Sequence, residues 1–181
     1  TATQAITLSG PQDYNVTVYG SYLTPAINFT LYDYYQNEVT VSGDTAIYAS
    51  IVSSNCTSYA FLSGPDQGKD GVVMRNSVGS FDALQASCSP NGWMSVQFTA
   101  EIGVLLNIPT TMAGNKDLVP TFYISNQTVL YFRGCAAGEY ETKGQCLVCP
   151  ANTFNFKANA QSCESCVNIR GVASCQGSEL F

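Results

Sequence analysis

The sequence predicts an all-β protein in two parts, an antiparallel β-sandwich followed by a small disulfide-rich module. Short segments of alternating apolar and polar residues run through the front of the chain, turn residues separate them, and almost no helical periodicity occurs. Six of the eight cysteines then fall between Cys135 and Cys175. We therefore expect the sandwich over residues 1–133 and the cysteine-rich module over residues 135–181.

The front of the chain is expected to form about ten short strands, because its side chains alternate with a period of two. In residues 27–31, the apolar side chains of Ile27, Phe29 and Leu31 should share the inward face. Asn28 and Thr30 should then face solvent. The other predicted strands are Ile6–Leu8, Asn15–Tyr19, Thr45–Ile51, Tyr59–Leu62, Val72–Met74, Phe81–Cys88, Trp93–Ala100, Thr121–Ser125 and Val129–Arg133.

The strand predicted over residues 93–100 has the cleanest inward face, and we expect Trp93 to lie in the core as well. The inward positions are Met94, Val96, Phe98 and Ala100. Residues 101–120 are ambiguous, because they fit either a strand followed by a loop or a helical turn. Turn residues separate the predicted strands at Gly64–Asp66, Lys69–Gly71 and Ser89–Gly92.

Several stretches of the front follow the pattern of a known type of sandwich. Ile27–Asn37 is similar to a strand that ends in an Asp-x-x-Gly-Asn turn, with Gln36 where glycine is usual. The second match is an order of elements: a strand, a second strand, and a Pro-x-Gly-aromatic turn that leads into a third strand. These elements are Gly71–Met74, Phe81–Leu84 and Pro90–Ala100. On these residues the front resembles an immunoglobulin-like domain of the filamin or bacterial kind, which implies an Ig-like β-sandwich.

Cys56 and Cys88 are the only cysteines of the front, and they are therefore predicted to form a disulfide. Closing a loop of this length should stabilise the sandwich by about 3 kcal/mol, because the unfolded chain loses conformational entropy when it is crosslinked.

The tail contains two copies of one cysteine unit, Cys-x-x-(Gly/Asn)-x-aromatic. The copies are Cys135–Tyr140 and Cys149–Phe154. Each copy is followed by a further cysteine, Cys146 or Cys163, and three residues after that comes the next cysteine, Cys149 or Cys166. Many connectivities of six cysteines are compatible with this spacing. Only Gly134 separates the last predicted strand from the first unit, so we expect the two parts to hold a fixed relative orientation.

The second unit, Cys149-Pro-Ala-Asn-Thr-Phe154, is close to a Cys-Pro-x-Gly-Thr-Tyr opening. On this motif the tail resembles the cysteine-rich repeats of ephrin receptors and tumour-necrosis-factor receptors, which form rods that space or connect. The resemblance implies three disulfides, Cys135–Cys146, Cys149–Cys163 and Cys166–Cys175. Asn152 replaces the glycine of these repeats, and asparagine tolerates a left-handed backbone best after glycine.

Four Asn-x-Thr sequons occur in the front, and none occurs in the tail. Their asparagines are Asn15, Asn28, Asn55 and Asn126. With an even number of cysteines and only 11% charged residues, they predict an extracellular, N-glycosylated protein. The first residues do not resemble a signal peptide, so we expect a chain that is already processed or cut from a longer protein.

The composition argues against catalysis and against nucleic-acid binding. Histidine is absent, which removes the usual general base, so we predict that the chain is not an enzyme and has no catalytic or cofactor-binding residues. The seven Lys and Arg residues are dispersed and the net charge is −6, so no nucleic-acid partner is expected. No apolar run approaches about 18 residues, so we expect no membrane span.

Zinc is the main alternative to disulfides in the tail. Cys146, Cys149, Cys163 and Cys166 have an acceptable zinc-ribbon spacing. Zinc would explain only four of the six tail cysteines, whereas the repeat explains all of them, so we predict no metal site there. A calcium site in the acidic loop 64–71 stays open, although the EF-hand pattern of ligands is missing.

The expected function is structural. We expect a subunit of an extracellular fibre, appendage or matrix that self-associates through the edges of the sandwich, with the tail as a rigid spacer. Ala5–Leu8 and Val16–Tyr19 are the segments expected to pair with a neighbour's sheet edge. The alternative is the ectodomain fragment of an adhesion protein or receptor that binds a protein or glycan, for which the tyrosines of residues 32–35 offer a sugar-stacking surface.

Overall fold

The chain folds into a β-sandwich followed by a disulfide-rich module, which confirms the predicted fold class. The described part of the chain contains β-strands and one short 3-10 helix, and no α-helix occurs within it. The computed structural model describes residues 7–16, 22–40, 45–56, 60–64, 71–103, 121–170, 174–177 and 179–180.

The sandwich contains ten of the strands. They are β1 (Thr7–Ser9), β2 (Asp13–Val16), β3 (Ile27–Tyr32), β4 (Ala46–Ser54), β5 (Phe61–Ser63), β6 (Val72–Val73), β7 (Val78–Phe81), β8 (Gln85–Ser87), β9 (Trp93–Gly103) and β10 (Thr121–Phe132). The remaining elements are β11 (Glu139–Thr142), β12 (Gln145–Val148), β13 (Thr153–Phe154), β14 (Glu164–Ser165), the 3-10 helix Cys166–Asn168, β15 (Cys175–Gly177) and β16 (Glu179–Leu180).

Two sheets enclose the core of the sandwich. One has the strand order β1-β3-β7 and the other has the order β2-β10-β9-β4-β6, while β5 and β8 form a separate pair. The pairing within the two sheets is antiparallel except that β2 runs parallel to β10. This exception arises because the first segment of the chain leaves β3 after β1 and continues in the same direction beside β10.

Three phenylalanines from both sheets meet at the centre of the core. The ring centroids of Phe29 and Phe98 are 4.4 Å apart, and those of Phe81 and Phe98 are 4.9 Å apart. All three rings are fully buried, as the alternation of residues 27–31 predicts for Phe29. Gly10 lies against the ring of Phe29, where a β-carbon would collide with it. The first segment of the chain can therefore pass over the ring of Phe29 only with a glycine at this position.

The predicted inward face of β9 is confirmed, since its four apolar side chains are all fully buried, but Trp93 is not in the core. Met94 points inward at the next position, so the alternation of the strand places Trp93 on the outer face, where it is half-buried. The sequence contains no second signal that would have distinguished a core tryptophan from one at the start of a strand.

Two other strand predictions are corrected by the structure. The predicted strand Phe81–Cys88 is divided by a bend after β7, and β8 instead pairs with β5. Conversely, the two strands predicted over residues 121–133 form one continuous strand, β10, because hydrogen bonds satisfy the polar residues at its centre. Of the ambiguous segment, residues 101–103 continue β9, and residues 104–120 lie outside the described residues.

The turn after β3 is organised by a buried carboxylate. Asp33 is 1% exposed, and one of its oxygens accepts hydrogen bonds from the backbone N–H groups of Tyr35 and Asn37, at 2.8 and 2.9 Å. Gln36 has φ of 63°, the left-handed conformation that glycine adopts without steric cost. Gln36 therefore occupies a glycine-like position in this turn.

We expect the substitution Gln36→Gly to stabilise the sandwich by about 0.5–1 kcal/mol, because relief of the left-handed strain exceeds the entropic cost of glycine. Gln36 is exposed, so its side chain loses little packing. Urea denaturation of Gln36→Gly and of the matched control Gln36→Ala measures the difference. Equal stability of the two variants would contradict a left-handed residue 36.

Candidate functional site

All eight cysteines form disulfides, with the pairings predicted above. Cys56–Cys88 closes the sandwich next to the start of β9, with a Cα–Cα distance of 5.0 Å. The four cysteines with zinc-ribbon spacing are distributed over the three disulfides of the tail. These four bonds indicate that the chain matures in an oxidising compartment.

The two cysteine units have the same backbone geometry at corresponding positions. Gly138 has φ of 85° and Asn152 has φ of 64°, so asparagine does adopt the left-handed backbone of the glycine it replaces. A turn hydrogen bond closes each unit, from Glu139 N to Ala136 O and from Thr153 N to Pro150 O. The sequence repeat is therefore also a structural repeat.

Successive cysteine units are joined by backbone hydrogen bonds. The carbonyl of Gly138 accepts from the N–H of Cys149 at 2.8 Å, and the carbonyl of Asn152 accepts from the N–H of Cys166 at 3.1 Å. In both cases the left-handed residue of a unit accepts a hydrogen bond from the first cysteine of the segment that follows, which is the second unit or the segment closed by the Cys166–Cys175 disulfide. The parallel pairing of β13 with β15 adds a further link between the second unit and this last segment. The module is thus a stack of bonded units with only a small core around Phe154.

A network of polar side chains connects the sandwich to the module. The guanidinium of Arg133 donates two hydrogen bonds to the carboxylate of Glu139, at 2.6 and 2.8 Å. The side chain of Asn91, in the turn before β9, donates to that of Asn159 at 3.1 Å. A β-carbon on Gly134 would lie 2.6 Å from oxygens of both asparagines. A larger residue at position 134 would therefore displace the side chains of both asparagines from this contact.

Sequence reasoning missed this network except for Gly134. Asn91 and Asn159 are 68 residues apart, and nothing in either local pattern links them. Arg133 and Glu139 were detectable, because they are opposite charges that flank Cys135 in a chain with few charged residues. Such a pair across a predicted boundary is a signal for a structured junction.

Within the described part of the chain, one terminal strand of each sheet lies on the same side of the sandwich. β6 and β7 are the terminal strands of their sheets, and a tight turn joins them. Val73 and Val78 are exposed there and line a groove of about 570 Å³ with Arg75 and Asp82. On the opposite side, β1 and β2 are the terminal strands. The part of the predicted exchange segments that the structure describes is paired within its own chain, and residues 5, 6 and 17–19 lie outside the described residues.

The four sequon asparagines occupy different surroundings. Asn15, Asn28 and Asn55 are exposed, and Asn55 accepts a hydrogen bond at Oδ1 from the N–H of Trp93 at 2.6 Å. Asn126 is half-buried on the inward face of β10, and its Nδ2 donates to the carbonyl of Leu8 at 2.8 Å. The nitrogen that would carry a sugar is thus used in the fold at Asn126 but not at Asn55.

Two tyrosines protrude from the Asp33 turn. Tyr34 and Tyr35 are 76% and 72% exposed, and their rings meet edge to face with centroids 5.4 Å apart. The buried Asp33 holds the backbone beneath them. This pair is the most exposed aromatic surface in the described part of the sandwich.

Among the described residues, no group of three or more metal-ligating side chains is placed to share an ion, and no helix is long and apolar enough to cross a membrane. Residues 65–70 of the acidic loop, including Asp66 and Asp70, lie outside the described residues.

Comparison with protein-family models, with curated proteins and with solved structures finds no match to this chain. The resemblances to Ig-like domains and to receptor cysteine-rich repeats therefore stay predictions.

The junction is expected to weaken in acid. The hydrogen bonds from Arg133 hold the pKa of Glu139 below its usual value, against burial that raises it, and the N–H of Ala136 lowers it further. A carboxylate with a depressed pKa stabilises the fold above its unfolded pKa, near 4.3, and loses this contribution as the pH falls through the folded value.

We expect Glu139→Gln to destabilise the protein by about 1 kcal/mol at pH 7, because the bidentate ion pair is lost. The difference from the wild type should shrink as the pH falls below 4.3 and through the lowered pKa of Glu139 in the folded protein. Urea denaturation at pH 7 and pH 3 measures this effect, with Glu164→Gln on the exposed β14 as the control. An equal difference at both pH values would show that the charge of Glu139 is irrelevant.

Proposed function

We propose that the chain is a non-enzymatic structural subunit of an extracellular glycoprotein fibre, appendage or matrix. In this assembly the first strand of one copy pairs with β3 of the next copy, and the cysteine module spaces successive sandwiches. The observation that carries the proposal is the position of β1, a short terminal strand that fills an edge of its sheet.

The contacts of β1 favour exchange between copies. Among the described residues of the first segment, three pair with β3, and Leu8 is the one of them that is buried in the core. Removal of the strand would uncover the edge of β3 and the side of the core that Leu8 covers beside Leu31. The first strand of a neighbouring copy can restore these contacts, as in domain swapping.

The cysteine module supports the spacer role. Its units are stacked through backbone hydrogen bonds and each contains one disulfide, so bending it would break several bonds at once. The ion pair of Arg133 and Glu139 and the contact of Asn91 with Asn159 oppose swinging at Gly134. A sandwich held in this way transmits its orientation to the module, which an ordered fibre requires.

An engineered disulfide tests the exchange. Thr7 and Tyr32 face each other across β1 and β3, at a separation that suits a disulfide. In a strand-exchanged fibre, Thr7→Cys with Tyr32→Cys should crosslink neighbouring chains and give a ladder on a non-reducing denaturing gel. Each single variant is the matched control.

Intrachain crosslinking alone, with no ladder, would refute exchange of β1. A chain without residues 1–12 gives an independent readout, because it should form no fibres under conditions in which the full chain does. Unchanged fibres from the truncated chain would refute the same idea.

The second candidate is an adhesion or receptor fragment that binds a protein or glycan, and the exposed pair Tyr34 and Tyr35 favours it. Protruding aromatic rings on a braced turn offer apolar surface and hydroxyl groups at low entropic cost.

For this candidate we expect Tyr34→Ser with Tyr35→Ser to weaken binding to cells or glycan arrays by about tenfold or more. Tyr123→Ser is the control, because Tyr123 is 67% exposed on a different surface. Binding that survives loss of both rings would exclude this turn as the recognition surface.

A further inference from the structure

Four residues form a row across the outer face of the five-stranded sheet. Tyr131 of β10 is the pairing partner of Asn15 on one side and of Trp93 on the other. Asn55 directly follows β4 and continues the row, because its N–H donates to the carbonyl of Trp93 at 3.1 Å. Two sequon asparagines therefore stand at the ends of the row, with two aromatic residues between them.

The amide groups of the two asparagines leave their nitrogens available. At Asn55, the N–H of Trp93 binds Oδ1 at 2.6 Å, which directs Nδ2, the atom that would carry the sugar, away from that backbone group. Asn15 is exposed, and its side chain makes no hydrogen bond within the part of the chain that the structure describes. Both nitrogens can therefore carry a glycan without loss of a hydrogen bond of the fold.

The aromatic rings lie within reach of a sugar attached at either end. Neighbouring strands are about 4.8 Å apart, so Tyr131 is one strand from Asn15 and Trp93 is one strand from Asn55. Tyr131 is 45% exposed, and Trp93 is half-buried although it is the largest side chain on this face. The apolar face of a pyranose ring packs well against such aromatic rings.

Asn126 has the opposite environment. Its Nδ2 donates to the carbonyl of Leu8, and it lies on the inward face of β10, two residues before the fully buried Thr128. The hydroxyl of Thr128 donates to the carbonyl of Pro11 at 2.6 Å. A glycan on Asn126 would have to leave between β10 and the first segment of the chain. A chain modified there could not close this side of the sandwich.

We propose that N-linked glycans on Asn15 and Asn55 fold over Tyr131 and Trp93 and cover this end of the five-stranded sheet, while Asn126 stays unmodified. The glycan comes from a lipid-linked oligosaccharide diphosphate. The C1–O bond to the diphosphate breaks, a C1–N bond forms to Nδ2, that nitrogen loses one proton, and the lipid diphosphate leaves. The inference rests on the glycoprotein part of the proposed function. The row itself occupies neither β1 nor the edge at β6 and β7, so its glycans do not depend on strand exchange, whereas the state of Asn126 requires a copy of β1 to be seated beside β10.

Site occupancy is the first test. The full chain is secreted from a eukaryotic cell line, and intact glycopeptides of the folded, monodisperse fraction are measured by mass spectrometry. We expect glycans at Asn15 and Asn55 and an unmodified Asn126. Glycans on Asn126 at the level of Asn15, or bare Asn15 and Asn55, would overturn the proposal.

Packing of the sugar on the ring is tested by a double-mutant cycle between Asn15→Gln and Tyr131→Ser in the glycosylated protein. Tyr131→Ser should lower the melting temperature by about 2–4 °C when the glycan is present. In the Asn15→Gln background the shift should fall to half or less.

Two matched variants complete the design. Tyr123→Ser removes an exposed ring from the same strand far from both asparagines, and Asn28→Gln removes a sequon from the other sheet, where Asn28 pairs with Ser80. Neither should be coupled to the pair under test. An equal shift for Tyr131→Ser with and without the glycan on Asn15 would show that the sugar does not rest on the ring.

Discussion

Two hydrogen bonds from the middle of β10 hold the first segment of the chain against both sheets. Asn126 donates to Leu8 and Thr128 donates to Pro11, across more than a hundred residues of sequence. Both donors lie on the inward face, where a polar group without a partner would cost about 1–3 kcal/mol. The two carbonyls that satisfy them belong to Leu8 of β1 and to Pro11 of the segment that crosses from β1 to β2. The crossing segment and the polar centre of β10 therefore depend on each other.

The consequences of this contact extend along β10 to the module. The strand pairs with β9 from Thr121 to Tyr131, and its last residue is followed by Arg133, whose side chain binds Glu139. Asn91, in the turn that starts β9, reaches Asn159 in the module. The two central strands of the larger sheet thus each end in a contact with the cysteine units. The first segment of the chain and the junction with the module are therefore connected through one strand, β10.

Features with local causes could be predicted from the sequence, and features with distant causes could not. The alternation of Ile27, Phe29 and Leu31 and the repeat of the cysteine units are properties of neighbouring residues, and the structure agrees with both. Two strands are predicted where β10 is continuous, because Asn126 and Thr128 interrupt the apolar pattern. Their hydrogen-bond partners, Leu8 and Pro11, lie near the other end of the chain. The outward position of Trp93 likewise follows from where β9 begins, which a single large aromatic does not reveal.

The difference between local and distant causes also decides which features of the candidate surfaces could be predicted from the sequence. A sequon is a local motif, so all four asparagines look alike in the sequence, although the fold uses the amide nitrogen of Asn126 and only the oxygen of Asn55. A sheet edge is a property of the whole fold, so no local pattern identifies β6 and β7 as terminal strands. Sugars over the row from Asn15 to Asn55 would cover one end of the outer face of the larger sheet and leave the edge at β6 and β7 bare. A surface glycan and an edge-to-edge contact can then coexist on one sandwich, because the first needs outward side chains and the second needs free backbone groups.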